Sequence, residues 1–193
     1  KGNINIYNDS LKLIQEREYL LSQRLASAIE ENSLRLVFQP IVDSKTSKVT
    51  SFESLLRWQL DGENIFPDEF IAIAEQYGLI TELGIWVIEQ ACIQATKLSH
   101  LQPQIAISVN VSVIQLQDPD FVSKVLKIVN RYQVKPKNLH IEITESVFAE
   151  DKLTFLTAVK ALQKQGFCIS IDDFGTGYSS LSSMLDIGVD IVK

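Results

Sequence analysis

The sequence predicts an α/β protein built on a mostly parallel sheet, open or closed into a barrel. Two observations carry this. Past residue 100, strand-like runs alternate with helix-like ones: IAISVNVS, FVSKVLKIVNRY, LHIEITES, KLTFLTAVKALQKQG, FCISIDD. A strand–helix–strand step returns the chain to the same sheet edge and leaves consecutive strands parallel. Apolar residues also make up 46% of the 193-residue chain, enough to bury a sizeable core in one domain or one domain with a short extra piece.

The elements follow in order. Residues 9–32 read as a helix, with Leu11, Ile14, Leu21, Leu25 and Ala28 at helical spacing and Asp9 or Ser10 as its cap. LRLVFQPIVD is rich in β-formers, Lys45 to Ser47 reads as a turn, and VTSFESLLRW is a second strand, so the two form a hairpin. Pro67 opens a helix with acidic residues in its first turn and Gly78 at its end. A second helix runs from Ile80 to Ser99. Gly166 stops the helix before FCISIDD. A short helix is expected around Tyr178 to Met184, and VDIVK begins another strand. A full (β/α)₈ barrel takes about 250 residues. Only about six strands are legible here, the last cut short, and raw strand edges are aggregation-prone. The expectation is therefore an incomplete barrel in a protein that continues beyond Lys193.

Composition excludes several classes. A net charge of −6 disfavours binding to nucleic-acid backbones, so DNA is not an expected partner. No apolar run of about 18 residues is present, so no membrane segment is expected. KGNINIYNDS lacks the basic start and apolar stretch of a signal peptide. Cys92 and Cys168 lie far apart and make no metal or redox motif; they read as small buried apolar residues in a reducing cytoplasm.

Strand alternation sorts the chemistry. Glu53, Leu55 and Arg57 share one face of FESLLRW. Ser108 and Asn110 oppose Ile107, Val109 and Val111; Glu142 opposes Ile141 and Ile143; Ser170 and Asp172 oppose Ile169 and Ile171. The β-branched faces suit covering helices. The other faces carry a carboxylate or amide late in the strand. In a parallel barrel these ends converge, bringing together Glu53, Asn110, Glu142, Asp172 and Asp173. Such an oxygen-rich set suits Mg²⁺ or Mn²⁺ better than zinc. Arg57 and Lys193 add cations that suit phosphate. Carboxylates for metals with cations for phosphate are what phosphodiester hydrolysis requires. Taken singly, each piece has a structural alternative. Glu53 and Arg57 could be a surface ion pair, Asn110 could satisfy strand backbone, and Glu142 and Glu145 could be solvated charges. The pair Asp172–Asp173, following CISI and preceding FGTGYSS, is harder to explain without a ligand.

FQPIVD, ESLLRW, SVNVS, IEITES, DDFGTGYSSL and VDIVK, in this order and approximate spacing, resemble the EAL family of bacterial cyclic di-GMP phosphodiesterases. The resemblance spans residues 34–193 and implies a TIM-like (β/α)₈ barrel with one antiparallel strand. It implies Mg²⁺- or Mn²⁺-dependent, two-metal hydrolysis of cyclic di-GMP to linear pGpG, in second-messenger signalling. By motif, Glu53, Asn110, Glu142, Asp172 and Asp173 look like the metal-binding set, and Lys193 like the lysine that places water and phosphate. Arg57 looks like a phosphate contact, and Gln39 and Leu55 like ligand-pocket residues. Glu145, Phe174 and Gly175 resemble the loop coupling the site to a homodimer interface. Ser54 stands where the name-giving motif has alanine, and the family's further strands, carrying a glutamate and a glutamine, are absent. Residues 1–33 resemble a linker helix behind the tail of a GGDEF domain, so an upstream GGDEF or sensor domain is an expected partner. The location implied is the bacterial cytoplasm, tethered to a membrane only through a domain outside this chain. The competing readings are a cyclic di-GMP receptor that does not cleave, or a protein-interaction module with no nucleotide affinity.

Overall fold

The computed structural model describes residues 9–28, 31, 33–144, 152–175 and 188–193. In chain order these form α1 (Asp9–Ala28), β1 (Leu34–Val42), β2 (Val49–Leu60), β3 (Glu63–Ile65), α2 (Pro67–Gln76), α3 (Ile80–Ser99), β4 (Ala106–Asn110), α4 (Val113–Gln117), α5 (Phe121–Arg131), β5 (Leu139–Thr144), α6 (Lys152–Lys164), β6 (Cys168–Asp172) and β7 (Ile191–Val192). The helix expected around Tyr178 to Met184 lies outside the described residues. Two compact units are distinguishable: residues 1–35 with 57–79, and residues 36–56 with 80–193.

In the first unit, α1 buries Leu21, Leu25 and Ala28, each 1% exposed. Its apolar spacing extends further than its burial: Leu11 and Ile14 are exposed. Pro67 opens α2, where its fixed φ suits the first helical position and its missing N–H costs no bond. Gly78 follows the helix at φ 74°, a left-handed turn that only glycine adopts freely. Phe70 is fully buried with its ring edge-on to Trp58, centroids 5.6 Å apart. Arg17 donates to Glu69 Oε1 at 2.5 Å and to Glu63 Oε1 at 3.1 Å, tying α1 to α2 and β3. Strand β3 pairs antiparallel with the end of β2, Trp58 opposite Ile65.

The second unit holds the parallel strands. The sheet order is β1-β2-β4-β5-β6-β7, and along this path the pairings β2-β4, β4-β5, β5-β6 and β6-β7 are parallel. Strands β1 and β2 are neighbours joined by residues 43–48. So short a link permits only an antiparallel hairpin, because a parallel crossover needs a dozen residues or more. The turn is closed by Asp43 N–H donating to the Lys48 carbonyl at 2.9 Å. One face of the sheet is a layer of β-branched residues, Ile107, Val109, Ile141, Ile143, Ile169 and Ile171, all with no exposure. Helices α3, α5 and α6 cover it with Cys92, Phe121, Val125, Phe155 and Leu162. Burying one such side chain is worth about 1.5–3 kcal/mol, so this layer fixes which face is left for chemistry. The opposite end of the sheet is held by Asn138, which donates to the carbonyls of Pro103 and Ile105 at 3.0 and 2.9 Å.

Candidate metal centre

Parallel register decides which side chains meet. Glu53 pairs with Ser108, Asn110 with Glu142, Glu142 with Ser170, and Thr144 with Asp172. Paired residues on adjacent strands point the same way, and neighbours along a strand point oppositely. Glu53, Asn110, Glu142 and Asp172 therefore leave the sheet on one face, against the isoleucine layer on the other. Carboxylate oxygens of Glu53, Glu142 and Asp172 lie within 4.8 Å of one another. The Asn110 amide donates to Glu53 Oε1 at 3.3 Å, leaving its own amide oxygen as a further ligand atom.

Lys193 completes the cluster. Its ammonium donates to Glu53 Oε2 at 3.4 Å and, more closely, to Glu142 Oε1. The Glu142 side chain has 0% exposure, and its second oxygen, Oε2, is buried without a partner among the described residues. Burial alone would lower the Lys193 pKa, but the bond and charge of Glu142, with Glu53 behind them, outweigh it, and the net shift is upward. Backbone bonds hold the residue: Lys193 N–H donates to the Ile171 carbonyl at 2.9 Å, and Phe174 N–H donates to the Lys193 carbonyl at 3.3 Å.

The other expected site residues fall as follows. Asp173 is exposed at φ 59°, in the left-handed region that aspartate tolerates better than most residues, and its N–H donates to Asp172 Oδ1 at 3.0 Å. It turns the chain out of β6 and stands outside the 4.8 Å group. Phe174 is half-buried against the core, and Gly175 follows at φ 92°. Gln39 is exposed on β1; Leu55 and Arg57 are half-buried on β2. Glu145 lies outside the described residues. Ser108 and Ser170, each 1% exposed, were not expected to matter, yet both bring buried hydroxyls to the acidic face. Alternation already placed them there, on the face of Glu53 and Glu142.

A divalent cation fits this set. The donors are all oxygens, the preference of Mg²⁺ and Mn²⁺. One carboxylate oxygen is buried and unpaired, a costly state that a bound cation relieves. An ammonium already takes the place of positive charge among the carboxylates.

The chain is also similar to known proteins. A family model described as EAL domain matches residues 22–193. The chain is 36% identical over 170 residues to the signaling protein YkoW of Bacillus subtilis, covering 88% of this chain and 21% of that protein. It is 31% identical over 189 residues to a cyclic di-GMP phosphodiesterase of Pseudomonas aeruginosa, covering 97% of this chain and 32% of that one. The chain thus spans between a fifth and a third of these relatives. Among solved structures, the phosphodiesterase PaMucR in complex with c-di-GMP superposes with a TM-score of 0.83 at 34% identity, over 90% of this chain and 71% of that one.

Proposed function

The chain belongs to the EAL domain family, whose fold is a TIM-like barrel, and we propose that it carries a metal-dependent site hydrolysing cyclic di-GMP to linear pGpG. One observation carries the proposal: Glu53, Glu142 and Asp172 bring oxygens within 4.8 Å of one another beside the Lys193 ammonium.

On this reading Glu53, Asn110, Glu142 and Asp172 hold Mg²⁺ or Mn²⁺, with Asp173 beside them. The metal, when bound, activates a water and offsets charge on the phosphoryl oxygens. Asn110 keeps Glu53 in its rotamer by donating an amide N–H to its carboxylate and supplies one neutral ligand. Glu142, fixed by burial, presents a carboxylate that loses little entropy on binding. Lys193 places positive charge where a phosphate must lie, Arg57 clamps the phosphodiester, and Gln39 and Leu55 line the nucleotide's side of the pocket. Glu145, Phe174 and Gly175 couple the site to a homodimer contact. Residues 1–33 act as a linker helix to an upstream GGDEF or sensor domain, and residues 34–193 belong to the EAL domain. The setting is the bacterial cytoplasm. Among the described residues no helix is long and apolar enough to cross a membrane.

The test is product formation. Protein, cyclic di-GMP and Mg²⁺ or Mn²⁺ are incubated and the nucleotides separated by chromatography. Linear dinucleotide is expected only with metal. Asp172→Asn removes a ligand charge and should cut turnover on the order of a hundredfold or more while binding of the nucleotide persists. Turnover by this variant at the wild-type rate would overturn the assignment of Asp172.

A further inference from the structure

Lys193 and a divalent ion would draw on the same oxygens. Two of the three carboxylates that converge, those of Glu53 and Glu142, are the two that hold the Lys193 ammonium. Glu142 is fully buried and cannot reach bulk solvent, so in the absence of metal it depends on that ammonium for compensation. Both carboxylates cannot serve the ammonium and a metal at full strength, because each cation raises the cost of the other by direct repulsion at this spacing. The residue is built to yield. Its backbone is pinned by the bonds to Ile171 and Phe174, its side chain is 24% exposed, and its charge rides on a flexible four-carbon stem.

We propose that Lys193 is the resident counter-ion of the metal-free centre, and that a divalent metal displaces its ammonium from Glu53 and Glu142. The exchange is purely ionic. A cation of charge +2 enters, no covalent bond changes, and the ammonium keeps its proton. Freed from its carboxylates but still anchored at the end of β7, it then faces an incoming phosphodiester. Anion capture by Lys193 is thereby conditional on metal, while the nucleotide's contacts with Arg57, Gln39 and Leu55 are not. The proposal rests on the metal-centre reading above.

The test reads the lysine directly. The full chain labelled with ¹⁵N-lysine and ¹⁵N-asparagine is titrated with MgCl₂ at fixed ionic strength. The Lys193 ammonium signal, assigned by its loss in Lys193→Arg, is followed beside the Asn110 side-chain amide. Without metal, the Lys193 signal is expected to be protected from water exchange by its ion pairs. On saturation its exchange should rise about tenfold or more, with the same midpoint as the Asn110 shift. Dimethyl phosphate, a simple phosphodiester probe, should then move the Lys193 signal only when Mg²⁺ is present. If Asn110 responds and Lys193 stays protected, the exchange is overturned while the metal centre stands. If neither responds to Mg²⁺, both fall. An equal response of Lys193 to dimethyl phosphate with and without metal would also overturn the conditional step.

Discussion

Ser54 shows how strand alternation separates chemistry from packing. It is 3% exposed, and its hydroxyl donates to the Ser108 carbonyl at 2.7 Å. Its register partner is Val109, so it lies on the isoleucine face, opposite its neighbour Glu53. The serine that replaces the family's alanine is therefore a packing substitution. Ser54→Ala should lower stability by about 0.5–1 kcal/mol, the net worth of one such bond, and leave turnover unchanged. Urea unfolding midpoints measured beside product formation check both halves. The thiols make a second case. Burial, with Glu89 nearby, pushes Cys92 up to about 12; burial, then Asp190 and Glu142, pushes Cys168 up to about 11. Raised values favour the neutral thiol, so at pH 8 the reactive thiolate is on the order of one part in a thousand or less. Native protein treated with iodoacetamide at pH 8 should stay unmodified at both positions by mass spectrometry. Denaturant should expose both. Rapid native labelling of Cys92 would contradict the packing of α3.

Helix α4 leans on a glycine about thirty residues away in the chain. Ser112 caps α4 by accepting from Ile114 N–H at 3.2 Å, and Gln115 Oε1 accepts from Ser112 N–H at 2.9 Å, which closes a capping box. Gln115 is 2% exposed and reaches across Gly84 of α3, where an added Cβ would come within 1.6 Å of its Nε2. The far end of a glutamine normally swings aside, but here it is buried and engaged in the cap. Gly84→Ala should therefore expel Gln115, undo the box and lower stability by about 1–2 kcal/mol. Gln115→Ala in the same background should recover part of that loss by removing the clash. A double-mutant cycle in urea reads this coupling, and strictly additive losses would contradict it. No pattern in the sequence announced α4 or β3, because five and three residues are too few to show a period. The strands β4, β5 and β6 were legible because each sets large, mostly β-branched apolar residues against smaller or polar ones. In α1 the spacing was legible and the burial was not: Leu11 and Ile14 keep helical phase with Leu21 yet stay exposed, since what covers a helix is decided by distant chain. The candidate centre divides likewise. Alternation and strand ends brought Glu53, Asn110, Glu142 and Asp172 to one face. The grip of Lys193 on Glu53, 140 residues away, follows only from tertiary register.

Across the molecule as a whole, the acidic centre is a burden that a bound metal would convert into stability. The chain carries a net charge of −6. Three carboxylates against one ammonium leave the centre with a formal charge of −2. The unfolded chain spreads these charges through water, whereas folding gathers them in and buries Glu142. Self-repulsion therefore favours unfolding in the metal-free protein. A divalent ion that binds only the folded centre shifts the balance by mass action, by about 2.7 kcal/mol at a hundred times its dissociation constant. Thermal unfolding should accordingly rise with MgCl₂ or MnCl₂ and fall back on addition of chelator. Sodium chloride at matched ionic strength should give only the small gain expected from screening. Glu53→Gln separates the two effects. It relieves repulsion, so the metal-free protein should lose less stability than a broken ion pair would cost, but it deletes a ligand and should flatten the response to metal. A variant that keeps the full metal-dependent rise would show the ion binding elsewhere. A wild-type curve that follows ionic strength alone would mean the centre holds no metal when folded.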